Sequence, residues 1–348
     1  MDIKPELSAL EKLIVHFVGN KNNLGGVELS DAEVELDDEM STTLQEGFLS
    51  RFTNNHELYS FHHPHSLQFN EVLQYTRKIF EDLEAFTDSA AAIARHLYEQ
   101  SVHPKIKEGD LYVAYFSAIP VEGRAHKAIG IFKTEHKSLF LEVERKKRHR
   151  TLMMKEGVEI TRMDKGCLII ENKQNEGYDV LIFDNQNKGE EALYWKENFL
   201  SIVPQQTGFH HTSHILTLTK QFITGQLSSE MDVDNTAQAE LLHKSLDYFK
   251  SNEAFNIEEF QKTVFEKEDM IESFRRFGSN YIEKNDYEIA ASFDISADAV
   301  KKQSKVYKTV LKLDKNFHIY VHGRTDLIEK GVDMDGRKYY KIYYKEES

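Results

Sequence analysis

The sequence predicts an α+β protein: an antiparallel-sheet lobe flanked by helices over residues 1–205, a helical middle lobe over 206–285, and a short helix with a small β-rich C-terminal segment over 286–348. Three observations carry this expectation. Apolar residues recur at three-, four- and seven-residue spacing at Val72, Ile79, Leu83 and Phe86, and again at Leu241, Leu242, Leu246 and Phe249. Between and after these stretches the period falls to two, at Leu111–Phe116, Leu139–Val143 and Phe317–Val321. The chain of 348 residues is also longer than one ordinary core.

Taken in order, Leu10–Val18 is an apolar, β-branched run expected as a strand. Gly25-Gly26 turns it into a second strand expected over Val27–Leu36, whose acidic residues would form a wet face. A helix is expected near Glu39–Phe52. One or two more fall over Phe69–Val102, where Ala90-Ala91-Ala92 has the best intrinsic propensity. After Pro104, Leu111–Phe116 is apolar on both faces, as a central strand would be, with Ala128–Phe132 as its neighbour. Leu139, Leu141 and Val143 alternate with Phe140, Glu142 and Glu144, which suits a strand near an edge. Cys167–Ile170 and Tyr178–Phe183 form a hairpin across a glycine-containing loop.

In the helical lobe, Asn256 is expected to cap a helix while Glu259 reaches back to the Asn256 amide. Phe255 and Phe260 occupy the hydrophobic-staple positions around it. In the tail, Met334-Asp335-Gly336-Arg337 supplies an Asp-Gly turn before the weakly alternating Tyr339–Tyr344.

Composition narrows the function. Hydrophobic residues at 40% and charged residues at 29% leave little room for disorder. No run of about 18 apolar residues occurs, so no membrane span is expected. Met1–Glu6 lacks the layout of a secretory leader, and a single cysteine excludes an intrachain disulfide, so a reducing cytoplasm is the expected compartment. The net charge of −14 argues against a surface that grips nucleic acid everywhere. That charge is uneven, however. Residues 1–60 hold 12 acidic and 4 basic side chains, whereas residues 133–155 hold 8 basic and 3 acidic, and 301–345 hold 12 basic and 5 acidic. Screening over roughly 8–10 Å lets such islands meet an anion locally.

No nucleophile elbow, phosphate loop, dinucleotide fingerprint or zinc-protease helix occurs, so no enzyme and no cofactor are expected. Cys167 lies in an apolar strand and reads as a small hydrophobe. His62, His63 and His65 surround Pro64 in a loop. His210, His211 and His214 are expected just before a helix. Neither trio has the cysteine or close carboxylate that a metal site normally adds.

The densest basic run is Arg145-Lys146-Lys147-Arg148-His149-Arg150, which follows the Leu139–Val143 strand and so belongs to a loop or strand end. Arg145, Lys146, Lys147, Arg148 and Arg150 are the first candidates for phosphate contact. Lys301, Lys302, Lys305 and Lys308 are the second set. Residues 287–302 have the spacing of a helix-turn-helix, with Ile289-Ala290 in the first helix and Val300 in the second, but Ser296 as a simple helix cap explains the same letters.

Four stretches together resemble the NdpA-like nucleoid-associated protein family of bacteria. They are Leu13–His16; Gly109–Phe116 with Ala128–Ile131; Tyr194-Trp195 through Phe199-Leu200; and Tyr287–Phe293 with Lys305 and Phe317–Val321. The likeness is one of layout over nearly the whole chain. It implies a place on the bacterial nucleoid, through DNA or through proteins bound to it, with no enzymatic activity and no cofactor. It supplies no site residues position by position, so the basic side chains stand as physical candidates. The partners expected are therefore DNA, bound without sequence preference, or nucleoid proteins reached by an interaction scaffold. No membrane is expected, and self-association is compatible with either.

Overall fold

A computed structural model describes the chain except residues 1–2, 54–56, 147–148, 172–176, 186–192, 232, 234, 286–288, 306, 308, 314–316, 322–326 and 347–348. The chain divides into two compact units, Met1–Gln205 and Gln206–Ser348. The tail from residue 286 falls in the second.

The first unit is an eight-stranded antiparallel sheet with helices on both faces. Its strands are β1 (Ala9–Val18), β2 (Val27–Glu28), β3 (Tyr59–Phe61), β4 (Gly109–Val121), β5 (Arg124–Thr134), β8 (Lys165–Ile170), β9 (Asp179–Asp184) and β10 (Ile202–Pro204). They lie in the order β10-β3-β9-β8-β5-β4-β1-β2. Side chains that alternate along each strand feed two separate cores. Leu111, Val113, Ile129, Ile131, Cys167, Ile169 and Val180 face helices α2 (Glu71–Glu81) and α3 (Phe86–Gln100). Ala114, Phe116, Ala128, Phe132, Leu168, Ile170 and Leu181 face helix α1 (Asp38–Leu49) and the adjoining Phe52. The central strands are apolar on both sides because both sides are covered.

Helix α1 begins at Asp37, whose carboxylate accepts from the Met40 amide, and Asp38 and Glu39 occupy its first turn. There they oppose the positive end of the helix dipole. The strand expected over Val27–Leu36 is cut to Val27–Glu28. Val34 and Leu36 do pack on the core, and the segment bonds β1 at isolated points, from the Val34 amide to the Leu13 carbonyl and from the Ser30 hydroxyl to the Val15 carbonyl, without forming a continuous ladder. Asn70 ties distant segments together. Its Oδ1 accepts from Leu73 to cap α2, while its Nδ2 donates to the Leu200 and Ser201 carbonyls.

The second unit contains helices α4 (Gly208–Gln221), α5 (Leu227–Glu230), α6 (Asn235–Ser251), α7 (Ile257–Phe265), α8 (Glu268–Asn285) and α9 (Ala297–Ser304). A short pair, β11 (Ala254–Asn256) with β12 (Ser292–Asp294), sets Phe255 opposite Phe293. Two hairpins close the chain: β13 (Thr309–Leu313) with β14 (Phe317–Val321), and β15 (Ile328–Val332) with β16 (Lys338–Ile342). Gly336 takes the positive φ of 79° that the second hairpin turn requires.

The Asn256 cap forms as expected in part. Its Oδ1 accepts from both Glu258 and Glu259, and the Phe255 and Phe260 rings lie 5.4 Å apart as a staple. The reciprocal bond is absent, however: the Asn256 amide donates to the Tyr248 hydroxyl at 3.3 Å instead of to Glu259. Asn256→Ala is expected to cost about 1 kcal/mol, read as a lower denaturant midpoint with an unchanged slope. A loss below a few tenths of a kcal/mol would show that the cap is idle.

The helix-turn-helix reading is overturned. Ile289 and Ala290 are not helical, and Ser292–Asp294 is a strand. Ser296 is the N-cap of α9, accepting from the Ala299 amide. The His210, His211 and His214 trio also moves: it lies inside α4, whose cap is Thr207. The His210 and His214 rings lie 4.3 Å apart and tilted by 48°, and His211 stacks on Phe293 at 5.2 Å. These imidazoles pack rather than gather around an open centre, and burial pushes the His211 pKa down.

Candidate nucleic-acid interface

The basic run of the first unit sits on a two-stranded ribbon inserted between β5 and β8. The ribbon is β6 (Ser138–Lys146) paired with β7 (His149–Gly157). The alternation at Leu139–Val143 forms the first strand as expected. The second strand is an addition to the sequence reading, because Thr151–Met154 shows no period that marks it. At about 3.4 Å per residue the ribbon runs for roughly 30 Å.

Cross-strand partners share a face. One face carries Leu139 with Glu156, Leu141 with Met154, Val143 with Leu152, and Arg145 with Arg150 at the tip. The other carries Phe140 with Lys155, Glu142 with Met153, and Glu144 with Thr151. Lys155 and Glu142 form an ion pair on this second face. Arg145 and Arg150 are exposed, and none of the ion pairs found among the described residues takes up either. Like charges set directly opposite each other destabilise a ribbon. An anion lying between them turns that cost into attraction. Lys147 and Arg148 lie outside the described residues, as does the Lys146 side chain.

The root of the ribbon is pinned by buried charge. Lys133 and Lys165 are cross-strand partners in β5 and β8, and both side chains are fully buried. Lys133 Nζ donates to Glu135 Oε1 at 3.1 Å and to the Lys107 carbonyl. Lys165 Nζ meets both Asp184 oxygens at 3.1 Å and lies 3.8 Å from Glu135. Asp164 accepts from the Glu135 and His136 amides and from the His136 ring. Burial pushes the Lys133 pKa down against the pull of Glu135 and Asp164. No sequence signal marks these lysines, because their burial depends on strand register.

The second basic set belongs to the second unit. Lys301 and Lys302 lie on α9 and Lys305 just beyond it, all exposed, while Lys308 is outside the described residues. Lys302 is already engaged, its ammonium 5.4 Å from the centre of the Phe209 ring. Lys301 lines a cavity of about 530 Å³ with Phe249, Ile295, Val300, Lys250 and Glu253.

Among the described residues no group of three or more His, Cys, Asp or Glu is placed to hold a metal. Cys167 is buried in β8, and burial pushes its thiol far above the usual range, which suits a packing residue. No helix among the described residues is long and apolar enough to cross a membrane.

A family model described as nucleoid-associated protein YejK matches residues 14–335, a span that enters both units. This agrees with the resemblance drawn from the four sequence stretches. No curated protein matches the chain.

Proposed function

The chain belongs to the family of nucleoid-associated protein YejK, and on that premise we propose that it binds DNA without sequence preference, chiefly through the basic tip of the β6–β7 ribbon. The observation that carries this reading is the pairing of Arg145 with Arg150, both exposed, toward the end of the β6–β7 ribbon. Cations so placed neutralise phosphates without reading bases. A two-stranded ribbon also fits a DNA groove. The role is non-enzymatic and its setting is the bacterial nucleoid in the cytoplasm. The Lys301, Lys302 and Lys305 set on the second unit is secondary, since Lys302 is partly spent on Phe209.

Salt dependence tests the reading. If about six phosphates are neutralised, affinity for duplex DNA falls roughly 10³-fold between 50 and 200 mM salt. Replacing Arg145, Lys146, Lys147, Arg148 and Arg150 together by alanine is expected to weaken binding uniformly across sequences and flatten the salt slope. A slope unchanged in that variant removes the ribbon tip from the interface. The absence of any DNA binding at low salt favours the second reading, an interaction scaffold on nucleoid proteins. The exposed apolar face of the ribbon is the feature that suits such a scaffold.

A further inference from the structure

The face of the ribbon that ends in Arg145 and Arg150 has an unusual composition along its length. Leu139, Leu141, Val143, Leu152 and Met154 form one continuous stripe, and each is 52–69% exposed. Among the described residues of the first unit, none covers it fully. Glu156 stands on the same face at the root, opposite Leu139, and the two arginines stand at the tip. The face therefore reads acid, apolar, apolar, base from root to tip.

We infer that this face is a docking surface for a second copy of the same chain, the two ribbons packing face to face and antiparallel about a two-fold axis. The order of residues supplies the argument. Such packing sets the Leu139–Glu156 level of one copy against the Arg145–Arg150 level of the other. It sets the Leu141–Met154 level against the Val143–Leu152 level. Apolar layers then meet apolar layers, and each tip meets a carboxylate, twice over by symmetry. A parallel arrangement puts four arginines together and leaves both Glu156 side chains without a cation. Each tip keeps two guanidinium groups against one carboxylate, so it remains basic.

The occupant is a second copy rather than an unrelated partner because the surface is complementary to itself in both hydrophobicity and charge. A ribbon of this size offers less than the ~800 Å² per partner of a standard interface. The association is therefore weak and reversible, and it shows as a concentration-dependent equilibrium.

Sedimentation velocity of the full chain without DNA tests this across a concentration series. The unaltered chain is expected to move from monomer toward dimer as concentration rises. Leu141→Lys is expected to give monomer throughout. Glu156→Arg, and separately Arg145→Glu with Arg150→Glu, are each expected to weaken pairing about tenfold or more, because like charges then face each other. Mixing those two charge-reversed proteins is expected to restore pairing as a heterodimer, since every tip again meets an opposite charge. All these positions are exposed, and circular dichroism identifies any variant that fails to fold. A chain that stays monomeric at every concentration overturns the proposal. So does a dimer indifferent to Leu141→Lys and Glu156→Arg, or a mixture that does not pair. Loss of DNA binding on Leu141→Lys in a chain that never dimerises assigns the stripe to DNA and likewise overturns it.

Discussion

Glu135→Ala is expected to destabilise the first unit by about 3–5 kcal/mol, the cost of leaving buried charges without their partner. Glu135 serves both interior lysines, with Lys133 at 3.1 Å and Lys165 at 3.8 Å, and is itself almost fully buried. Its removal leaves Lys133 with the Lys107 carbonyl and its attraction to Asp164. Lys133→Met is expected to cost less, because Glu135 then still has Lys165. Equal losses in the two variants would show that Glu135 is not the shared partner.

The effect depends on pH in a definite direction. Burial already lowers the Lys133 pKa from its ordinary 10.5. The unfolded chain therefore holds the Lys133 proton up to a higher pH than the folded chain does. The cost of burying this cation is fully present at neutral pH and is relieved as pH rises through the lowered folded value toward 10.5. Glu135→Ala lowers the folded value further, so its penalty should shrink on the alkaline side. Denaturant titrations of both proteins at neutral and alkaline pH, with hydrogen exchange read on residues 109–184, measure this. A penalty constant with pH would sink the account.

Phe255→Ala is expected to cost the second unit about 3–5 kcal/mol. Phe255 is fully buried and stacks on Phe249 at 5.4 Å and on Phe293 at 4.7 Å. It also meets Tyr248 edge-on at 6.1 Å and Phe260 at 5.4 Å. Removing it opens a void between two strands and two helices that cannot all close on it. Hydrogen exchange in residues 248–300 should accelerate by several orders of magnitude. A loss under about 1.5 kcal/mol, as for a tolerated core swap, would mean that the neighbouring rings refill the space.

Much of this architecture was legible in the residues. The helical stripes at Val72–Phe86 and Leu241–Phe249, the central strands and the Asn256 cap follow from local chemistry and periodicity, and the structure places helices, strands and cap there. The failures have physical causes. Val34 and Leu36 alternate like a strand, but they reach the core from a segment that caps α1 instead of extending the sheet. Strand β7 carries apolar residues on both faces and cations at its tip, so neither period nor polarity marked it. The run at Arg145–Arg150 was found from charge density alone. That Arg145 faces Arg150, and shares its face with Leu141 and Glu156, follows only from cross-strand register. Lys133 and Lys165 look like ordinary surface residues until that same register buries them together.

The ribbon is spliced between two strands that are already neighbours, since Lys133 and Lys165 pair directly. Everything from Ser138 to Gly157 is therefore topologically surplus to the eight-stranded body: a tight turn could replace it without changing any other strand's position. Such an appendage is free to lengthen, shrink or change its chemistry by insertion and deletion while the scaffold beneath keeps its own folding code. A change confined to the ribbon therefore leaves the register of the eight body strands untouched.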